Sequence, residues 1–467
     1  MAGPGIFLGV PSTIVSLNQQ GLLERAFHDG LYPNLAFRAE AMPEEWPANT
    51  GQQLFITRPG LLPAITTPLA PGVDPQPQAL TFEQWVASLN QFAGTIDTNM
   101  PTSTVAMSNL FLRNLHQLGL QAGQSINQVA RNELFKAYLS GQTVTIATIG
   151  STDTSIRVAA LNGFTDVVIP GTNVPPQAVS SSFPLPITIG SGSSKVTANV
   201  IGFIPDSSAD PFGSGTLLLS AQVGSAFAST RVTVKSNFAP IVVRSAAGDS
   251  VDAIGASDTI TLQQCINAVA FLRRANVQPH DDGFYHAHVS PLINAQFFAD
   301  PVFQRLNQSL PEHIIYKEGF LGYMAGIMFI MNTESPESFN SGNLVSTAQS
   351  GVYASGIGAE TTNGAGVNIG RVVITGKGAI YEKYLDESAY VTEAGTTGKI
   401  GEFDVINNGI NILTERIRLI MRSPQDRLQQ VVGSTWSIST SFPIPSDITA
   451  PSGPQRFKRA VVLECAI

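Results

Sequence analysis

A cluster of histidines and aspartates is the best candidate for metal chemistry in this sequence, and it reads His280-Asp281-Asp282-Gly283-Phe284-Tyr285-His286-Ala287-His288. If residues 284–289 form a β-strand, His286 and His288 lie on one face of it and could share a metal ion. The alternative is a turn at Asp281-Asp282-Gly283, followed by a strand whose histidines make local hydrogen bonds. Because no third ligand stands at a fixed spacing, we favour the turn and assign no metal ligand and no cofactor.

Other patterns that could carry catalysis have simpler interpretations as surface structure. A dinucleotide-binding loop must follow a strand and open a helix. The glycines from Gly356 to Gly370 do not meet this requirement. Glu44-Glu45 and Asp281-Asp282 are neighbours in sequence, and neighbouring side chains do not face each other as an acid/base pair must. A phosphate-loop lysine motif, a Gly-x-Ser-x-Gly elbow and a His-Glu-x-x-His motif are all missing from the sequence. We therefore predict no enzyme and no catalytic residues.

The basic residues give no sign of a nucleic-acid-binding protein. The net charge is −8, whereas proteins dominated by phosphate contacts are basic. Arg273-Arg274 is typical of the charge at a helix C-terminus. Arg456–Arg459 is interpreted as solvated or as paired with another subunit.

Charged residues are scarce in this chain. They make up 13% of 467 residues, about half of the ~25% that is usual. The hydrophobic content of 43% excludes a disordered chain. Either Ser, Thr, Asn and Gln replace charge on the surface, or other subunits cover much of it.

The cysteines and the N-terminus bear on the compartment. Cys265 and Cys465 are interpreted as small buried hydrophobes, and a disulfide between them stays open as an alternative. The first cation is Arg25, so the N-terminus lacks the basic region of a secretory signal. The longest apolar stretch, around 322–331, is shorter than the ~20 residues of a membrane span. We expect a soluble chain that is made in a cytoplasm.

The secondary structure that must position these residues changes along the chain. A rough helical period near Leu17–Phe27 is followed by a strand at Gln52–Arg58 and a stretch broken by prolines. Residues 101–140 form the clearest helical region. The β-rich region 142–258 has strands predicted at Thr143–Ile149, Lys195–Ile204, Gly215–Leu219 and Ala228–Ser236. Mixed α/β patterns follow, with helices to Arg274 and from Pro291, and strands at Phe284–Val289, Gly326–Asn332, Arg371–Thr375, Glu415–Arg422, Thr435–Phe442 and Arg459–Ile467.

The order of these elements resembles the major capsid proteins of tailed bacteriophages with the Hong Kong 97 fold. The residues that carry the resemblance are Leu31–Ala41 leading to Gly51–Arg58, then Thr259–Asn276, Phe284–Pro291, Asp300–Phe303 and Glu318–Gly326, and finally Arg422–Phe442. Together with the element order, the resemblance extends over about two thirds of the chain.

The resemblance implies an α+β fold whose parts can be assigned by position. They are an N-terminal arm (1–48), an extended loop that lies on a neighbouring subunit (49–82), a peripheral domain with a spine helix (83–141), an inserted all-β domain (142–258), an axial domain (259–410) and the closing strands of the peripheral domain (411–467).

The resemblance also implies a function. Proteins of this family form hexamers and pentamers of an icosahedral virion shell around double-stranded DNA, which they contact weakly and without sequence preference. The implied partners are further copies of the chain, a scaffolding protein, a portal and a decoration or cement protein, with assembly in the host cytoplasm. Two alternatives stay open. A tail tube or sheath subunit would lack the spine helix, and a β-rich carbohydrate-binding surface protein would need a secretion signal.

The distribution of lysine separates this chain from part of the family. Some members join subunits by a lysine–asparagine isopeptide bond from the extended loop. Lys136 is the first lysine of this sequence, so we predict no such bond from residues 49–82. Boiled and reduced particles should then show no covalent ladder on a denaturing gel.

Overall fold

The computed structural model describes most of the chain, and the statements below concern these residues. They are 22–31, 36–47, 50–59, 65–70, 72–75, 77–78, 82–99, 101–102, 110–167, 176–208, 211–246, 248, 251–307, 322–332, 367–386, 404–406, 409–414, 416–422, 426–428, 430–447 and 457–467.

The helices include one long element. They are α1 (Leu22–Leu31), α2 (Ala36–Ala39), α3 (Leu110–Tyr138), α4 (Leu262–Arg274), α5 (Pro291–Ala299) and α6 (Pro301–Asn307). Helix α3 has 29 residues and confirms the predicted helical region from residue 110 onward, while residues 103–109 lie outside the described residues. Leu115, Ala122 and Ile126 are buried at helical spacing along it, so one apolar stripe fixes its orientation.

The strands outnumber the helices. They are β1 (Met42–Glu45), β2 (Gln53–Pro59), β3 (Phe82–Ser88), β4 (Asn90–Asn99), β5 (Gln142–Val144), β6 (Ser155–Val158), β7 (Asp166–Val167), β8 (Gln177–Ala178), β9 (Leu185–Ile189), β10 (Val196–Pro205), β11 (Gly215–Leu219), β12 (Thr233–Ser236), β13 (Val242–Arg244), β14 (Tyr285–Val289), β15 (Tyr323–Met324), β16 (Ile327–Met331), β17 (Ile369–Thr375), β18 (Tyr381–Tyr384), β19 (Asp404–Ile406), β20 (Gly409–Thr414), β21 (Ile417–Arg422), β22 (Val431–Ser441) and β23 (Ala460–Ala466). This mixture confirms the predicted α+β class.

One compact unit comprises Met1–Leu54, Ala87–Arg131 and Ile380–Pro443. Its sheet has the strand order β1–β18–β22–β21–β20–β19, and β4 also pairs with β22. A Cβ atom on Gly119 of α3 would lie 2.2 Å from the carbonyl oxygen of Phe27, and one on Gly30 would lie 2.3 Å from that of His116. The glycines therefore let α1 and α3 cross at close range.

The second unit comprises Phe55–Val86, Asn132–Ala379 and Ile444–Ile467, and it contains two six-stranded sheets. The first has the order β5–β12–β9–β10–β11–β6. Its two outer strands also meet, because Thr145 bridges to Val158 and the Ala159 amide donates to the carbonyl oxygen of Val144 at 2.9 Å. The sheet therefore closes into a six-stranded barrel, and we use "barrel" for residues 142–236. Alternate residues of β9 and β11 are buried and fill its interior.

The second sheet of this unit, here called the mixed sheet, has the order β13–β23–β17–β14–β16–β15. It combines parallel pairs, such as β14 with β16, and antiparallel pairs, such as β17 with β23. Helices α4, α5 and α6 supply Leu272, Ile293, Phe297 and Phe303 to the core that covers it.

Polar caps fix where these helices begin. Ser290 Oγ accepts a hydrogen bond from the Ile293 amide at 3.2 Å and Pro291 stands in the first turn, as the Ser-Pro sequence predicts. Asp300 accepts from the amides of Leu262 and Val302 at 2.8 and 2.9 Å, so one carboxylate serves the first turns of both α4 and α6. The N-cap of α4 is Thr261, whereas Asp258, three residues earlier, accepts from the Gly255 amide in its own turn.

The predicted division at 410/411 differs from the structure in two respects. Ile380–Pro443 belongs to the first unit, because β18 pairs with β1 and β22, so the predicted axial segment 259–410 extends too far. The predicted closing segment 411–467 is divided, because β23 pairs along its whole length with β17 of the mixed sheet. A sequence pattern shows that a segment is a strand, but it does not identify the partner of that strand.

The barrel occupies the predicted β-rich region, although its strands end at Ser236. Beyond it, β13 joins the mixed sheet and residues 251–253 form a short 3-10 helix. Among the described residues, no helix combines the length and the apolar character that crossing a bilayer requires.

Candidate assembly site

The histidine cluster lies at the start of β14, where its side chains make local contacts. The rings of His280 and His286 stack with centroids 4.0 Å apart, and His286 Nε2 lies 2.8 Å from Asp282 Oδ2. His288 is fully buried. The predicted turn is present, with Gly283 at φ 84° and its amide donating to the carbonyl oxygen of His280. The turn and the strand expected from the sequence are therefore both present, and His286 makes a local contact with Asp282.

The pKa of Asp282 reflects this turn. Burial by itself raises the pKa of the carboxyl, but hydrogen bonds from the Phe284 amide and from His286 outweigh it and lower the pKa. Asp282 is thus a carboxylate that shapes the turn before β14.

The other predicted residues have structural roles where they are described. Glu44 forms an ion pair with Lys383. Arg274 is the last residue of α4, as expected from the charge at a helix end. Most of the glycine-rich stretch 356–370 lies outside the described residues, and its last member, Gly370, is part of β17. Cys265 and Cys465 are both free and buried, and burial raises the pKa of the Cys265 thiol.

The segment between β2 and β3 presents apolar side chains to solvent. Strands β2 and β3 form a two-stranded sheet, and the described residues between them are neither helix nor strand. Ile65, Leu69 and Val73 are 71%, 59% and 54% exposed and recur every fourth residue. The prolines that surround them fix φ near −65° and stiffen the chain. We call residues 53–88 the hairpin segment.

Isolated exposed apolar residues are normal on a protein surface, but a regular series on one stiff segment indicates an interaction surface. Covering an Ile, Leu or Val side chain stabilises a complex by up to about 1.5–3 kcal/mol. A stiff segment also loses less conformational entropy when it docks. The hairpin segment therefore has the properties of an assembly element.

Three buried carboxylates, each between two arginines, fix the elements of both units. In the first unit, Glu382 of β18 accepts from Arg38 Nε at 2.9 Å and from Arg416 Nη1 at 3.0 Å. Arg38 lies in α2, whose first amides donate to Asn127 Oδ1 of α3, with the Phe37 amide at 2.6 Å. Residues 36–41, which belong to the stretch that carries part of the family resemblance, are thus fastened to the sheet and to the long helix of their unit.

The second carboxylate fixes the mixed sheet. Glu464 of β23 stands directly opposite Arg244 of β13 on one side and Arg371 of β17 on the other. Arg244 Nε donates to Glu464 at 2.9 Å and Arg371 Nε donates at 3.2 Å. Arg244 also donates to Gln142 Oε1 of β5 at 2.9 Å, so the same guanidinium joins the barrel to the mixed sheet.

The third carboxylate lies at the base of the hairpin segment. Arg58 of β2 donates to Asp447 Oδ1 at 2.7 Å, and Arg459 Nε lies 3.1 Å from Asp447 Oδ2. The interpretation of Arg459 as solvated or paired with another subunit is therefore wrong, because its partner is a buried carboxylate of its own chain.

Sequence reasoning missed all three arrangements. Each joins residues that are far apart in the chain, such as Arg38 and Glu382 or Arg58 and Asp447. The only available signal was an ionisable residue within an apolar strand pattern, such as Glu464 in Ala460–Ala466, since an unpaired charge is rarely buried.

Comparison with known proteins gives matches among solved structures alone. No protein-family model matches the sequence, and neither does any curated protein. The capsid structure of cyanophage P-SCSP1u matches with 10% identity over 92% of this chain and 88% of that chain, at a TM-score of 0.47. The acid-stable capsid of Helicobacter pylori bacteriophage KHP30 matches with 9% identity over 92% and 91%, at 0.47, and the capsid of Ralstonia phage GP4 with 11% over 91% and 87%, at 0.45. All three of these structures are bacteriophage capsids.

Proposed function

We propose that this chain is a major capsid protein of the Hong Kong 97 fold, which assembles into the icosahedral shell of a tailed bacteriophage. The observation that carries the proposal is the regular series of exposed apolar side chains on the hairpin segment, at Ile65, Leu69 and Val73. A low charge content supports it, because surfaces that face identical neighbours can use uncharged side chains without burying charge.

The parts of the chain have corresponding roles in this proposal. The hairpin segment lies on a neighbouring copy, and the sheet of the first unit with α3 is the peripheral domain. The mixed sheet is the core of the axial domain, and the barrel is an inserted domain. Hexamers and pentamers close the shell around double-stranded DNA, with a scaffolding protein and a portal as partners and a decoration protein as a further candidate. The chain itself acts as a structural protein.

Expression of the full chain, alone and with a scaffolding protein, tests the proposal by sedimentation and negative-stain microscopy. Closed shells built from six-fold and five-fold capsomers support it. Persistent monomers under all assembly conditions would contradict it, and open filaments would favour a tail tube or sheath subunit.

A variant with Ile65→Ser, Leu69→Ser and Val73→Ser tests the role of the hairpin segment. We expect this variant to fold but to lose assembly, because each substitution removes apolar area that a neighbour would cover. Ile204→Ser is the matched control, since Ile204 is also exposed but lies on the barrel, and it should assemble like the parent chain. If the triple variant assembled as well as the parent chain, the exposed apolar side chains would not be the assembly surface, and the main support for the proposal would be lost.

A further inference from the structure

The ion pair at the base of the hairpin segment is asymmetric. Asp447 is buried and receives both Arg58 and Arg459, as described above. Arg459 is mostly buried and also donates to the carbonyl oxygen of Gly378 at 3.2 Å. The side chain of Arg58, by contrast, is 41% exposed. One guanidinium is thus fixed within the protein, while the other is in contact with water.

The backbone at Asp447 suits this arrangement. Its φ is 56°, in the left-handed region that Asp and Asn tolerate better than most residues. Residue Ser446, just before it, accepts from the Phe457 amide at 2.8 Å through its carbonyl oxygen. The carboxylate is therefore held by the C-terminal part of the chain, and Arg58 is the partner that approaches from the hairpin segment.

The asymmetry determines the cost of separating the two partners. Breaking a buried ion pair is costly mainly because one charge remains buried without a partner. When Arg58 leaves, Asp447 keeps Arg459 as its counter-charge, and Arg58 exchanges one hydrogen bond for water. This contact can therefore open without leaving an uncompensated charge inside the protein.

Separating either of the other two carboxylates from its arginines costs more, to different degrees. Both partners of Glu464 are buried, with Arg244 7% and Arg371 0% exposed, so release of either leaves a guanidinium inside the protein. At Glu382, Arg38 is buried and Arg416 is 30% exposed. Among these three arrangements, the ion pair at the hairpin segment is therefore the one that separates at the lowest cost.

We propose that the ion pair between Arg58 and Asp447 is a releasable latch. Asp447 and Arg459 stay together, and Arg58 separates from Asp447 with the base of the hairpin segment. The latch holds the base of the hairpin segment against residues 444–447 and 457–459 and releases it without unfolding them. It belongs to the unassembled chain and does not depend on the proposed capsid function. If that function holds, release of the latch lets the apolar side chains of the segment change direction as they dock.

Hydrogen–deuterium exchange on the full, unassembled chain tests the latch, with Arg58→Gln as the variant. A two-stranded hairpin is marginally stable alone, so loss of its anchor should speed amide exchange in β2 and β3 about three- to tenfold. Exchange in β23 and the thermal midpoint should stay unchanged within about 2 °C. Arg157→Gln is the matched control, because Arg157 makes an exposed ion pair of the same 2.7 Å length with Asp206 on the barrel, and it should leave exchange in the hairpin segment unchanged.

Salt and Arg459→Gln provide independent comparisons. Raising the ionic strength to about 1 M should speed exchange in the hairpin segment of the parent chain, because a partly exposed pair is screened. Arg459→Gln should instead speed exchange in β23 and lower the thermal midpoint. The latch is ruled out if Arg58→Gln exchanges like the parent chain in β2 and β3, or if it destabilises β23 as Arg459→Gln does. If Arg459→Gln does not fold, Arg58→Gln and the salt comparison decide alone.

Discussion

The barrel and the mixed sheet lie in the same unit but have different interiors. The core of the barrel includes Ile187, Leu217 and Val234, and none of the buried side chains among its described residues carries a charge. The mixed sheet buries Arg371 and Glu464 side by side on neighbouring strands. Of the two six-stranded sheets, one thus buries charged side chains and the other buries none among its described residues.

The difference follows from where the strands come from in the chain. The barrel strands lie within residues 142–236, so short connections and apolar alternation suffice to specify their pairing. The mixed sheet collects strands from Val242–Arg244 to Ala460–Ala466. A one-residue slip of β23 would move Glu464 away from both arginines, so we interpret this charge ladder as the element that fixes register. Charge appears inside this protein where distant segments meet.

The strongest test of this interpretation is Glu464→Gln. It keeps the side-chain shape but removes the negative charge that the buried Arg371 and Arg244 share, so we expect a loss of about 3–5 kcal/mol. Replacing all three members by apolar residues of similar volume should cost less than this single change. Urea denaturation measures both effects, and a loss below about 1 kcal/mol for Glu464→Gln would show that the ladder does not hold the sheet.

Leu217→Ala is the corresponding test in the barrel. Leu217 is fully buried in the barrel core, so removing its side chain should cost about 2–5 kcal/mol through lost burial and a cavity. Hydrogen exchange should become faster in β9 to β11, while β14 and β17 of the mixed sheet should exchange as before. Faster exchange in both sheets would mean that the barrel and the mixed sheet do not have separate cores.

A pair of glycine substitutions compares how tightly each region is built. A Cβ atom on Gly163, which has φ 79°, would meet the Gly141 backbone nitrogen at 2.2 Å. On Gly370 of the mixed sheet it would meet the side-chain methyl groups of Ile467 and Ile293 at 2.6 and 2.8 Å, which can shift. We expect Gly163→Ala to cost about 2–3 kcal/mol and Gly370→Ala about 1 kcal/mol, measured by thermal denaturation. The reverse order would contradict the contact geometry.

The smallest expected effect is on the pH dependence of barrel stability in acid. A hydrogen bond from Ser214, together with Arg157, lowers the pKa of Asp206. A carboxyl with a lowered folded-state pKa contributes stability above its unfolded value of about 3.9, and this contribution is lost as the pH falls through the folded value. Asp206→Asn should therefore flatten the pH dependence of barrel stability below about pH 4, while the slope of stability against pH between pH 7 and 8 should stay as in the parent chain. An unchanged acid profile, measured by denaturation at several pH values, would exclude this role.

Local features of the fold could be predicted from the sequence, whereas long-range pairing could not. The Ser290-Pro291 helix start and the strand Gly215–Leu219 depend on neighbouring residues, and the structure confirms both. The placement of β23 in the mixed sheet depends on contacts that no local pattern encodes. The closure of the barrel is another such contact, since Thr145 and Val158 become partners only when the sheet curves.

The candidate site shows the same limit. Proline spacing predicted an extended segment at 49–82, but the exposure of its apolar residues came only from the structure. Its anchor could not, because Arg58 and Asp447 are 389 residues apart and each alone resembles ordinary surface charge. For the scarcity of charge, the sequence left two explanations open, uncharged polar side chains on the surface or coverage by other subunits, and the apolar core of the barrel adds a third.

The ends of the barrel have a consequence for how the chain tolerates change. Gln142 and Lys235 are partners in register on adjacent antiparallel strands, so the chain leaves the barrel about 5 Å from where it enters. The two ends of the barrel, residues 142–236, are therefore about as close together as the two ends of a β-hairpin turn. A module with such ends can be exchanged for a longer, shorter or unrelated one without moving the two flanking backbone points, which makes this position a natural site for grafting foreign sequence.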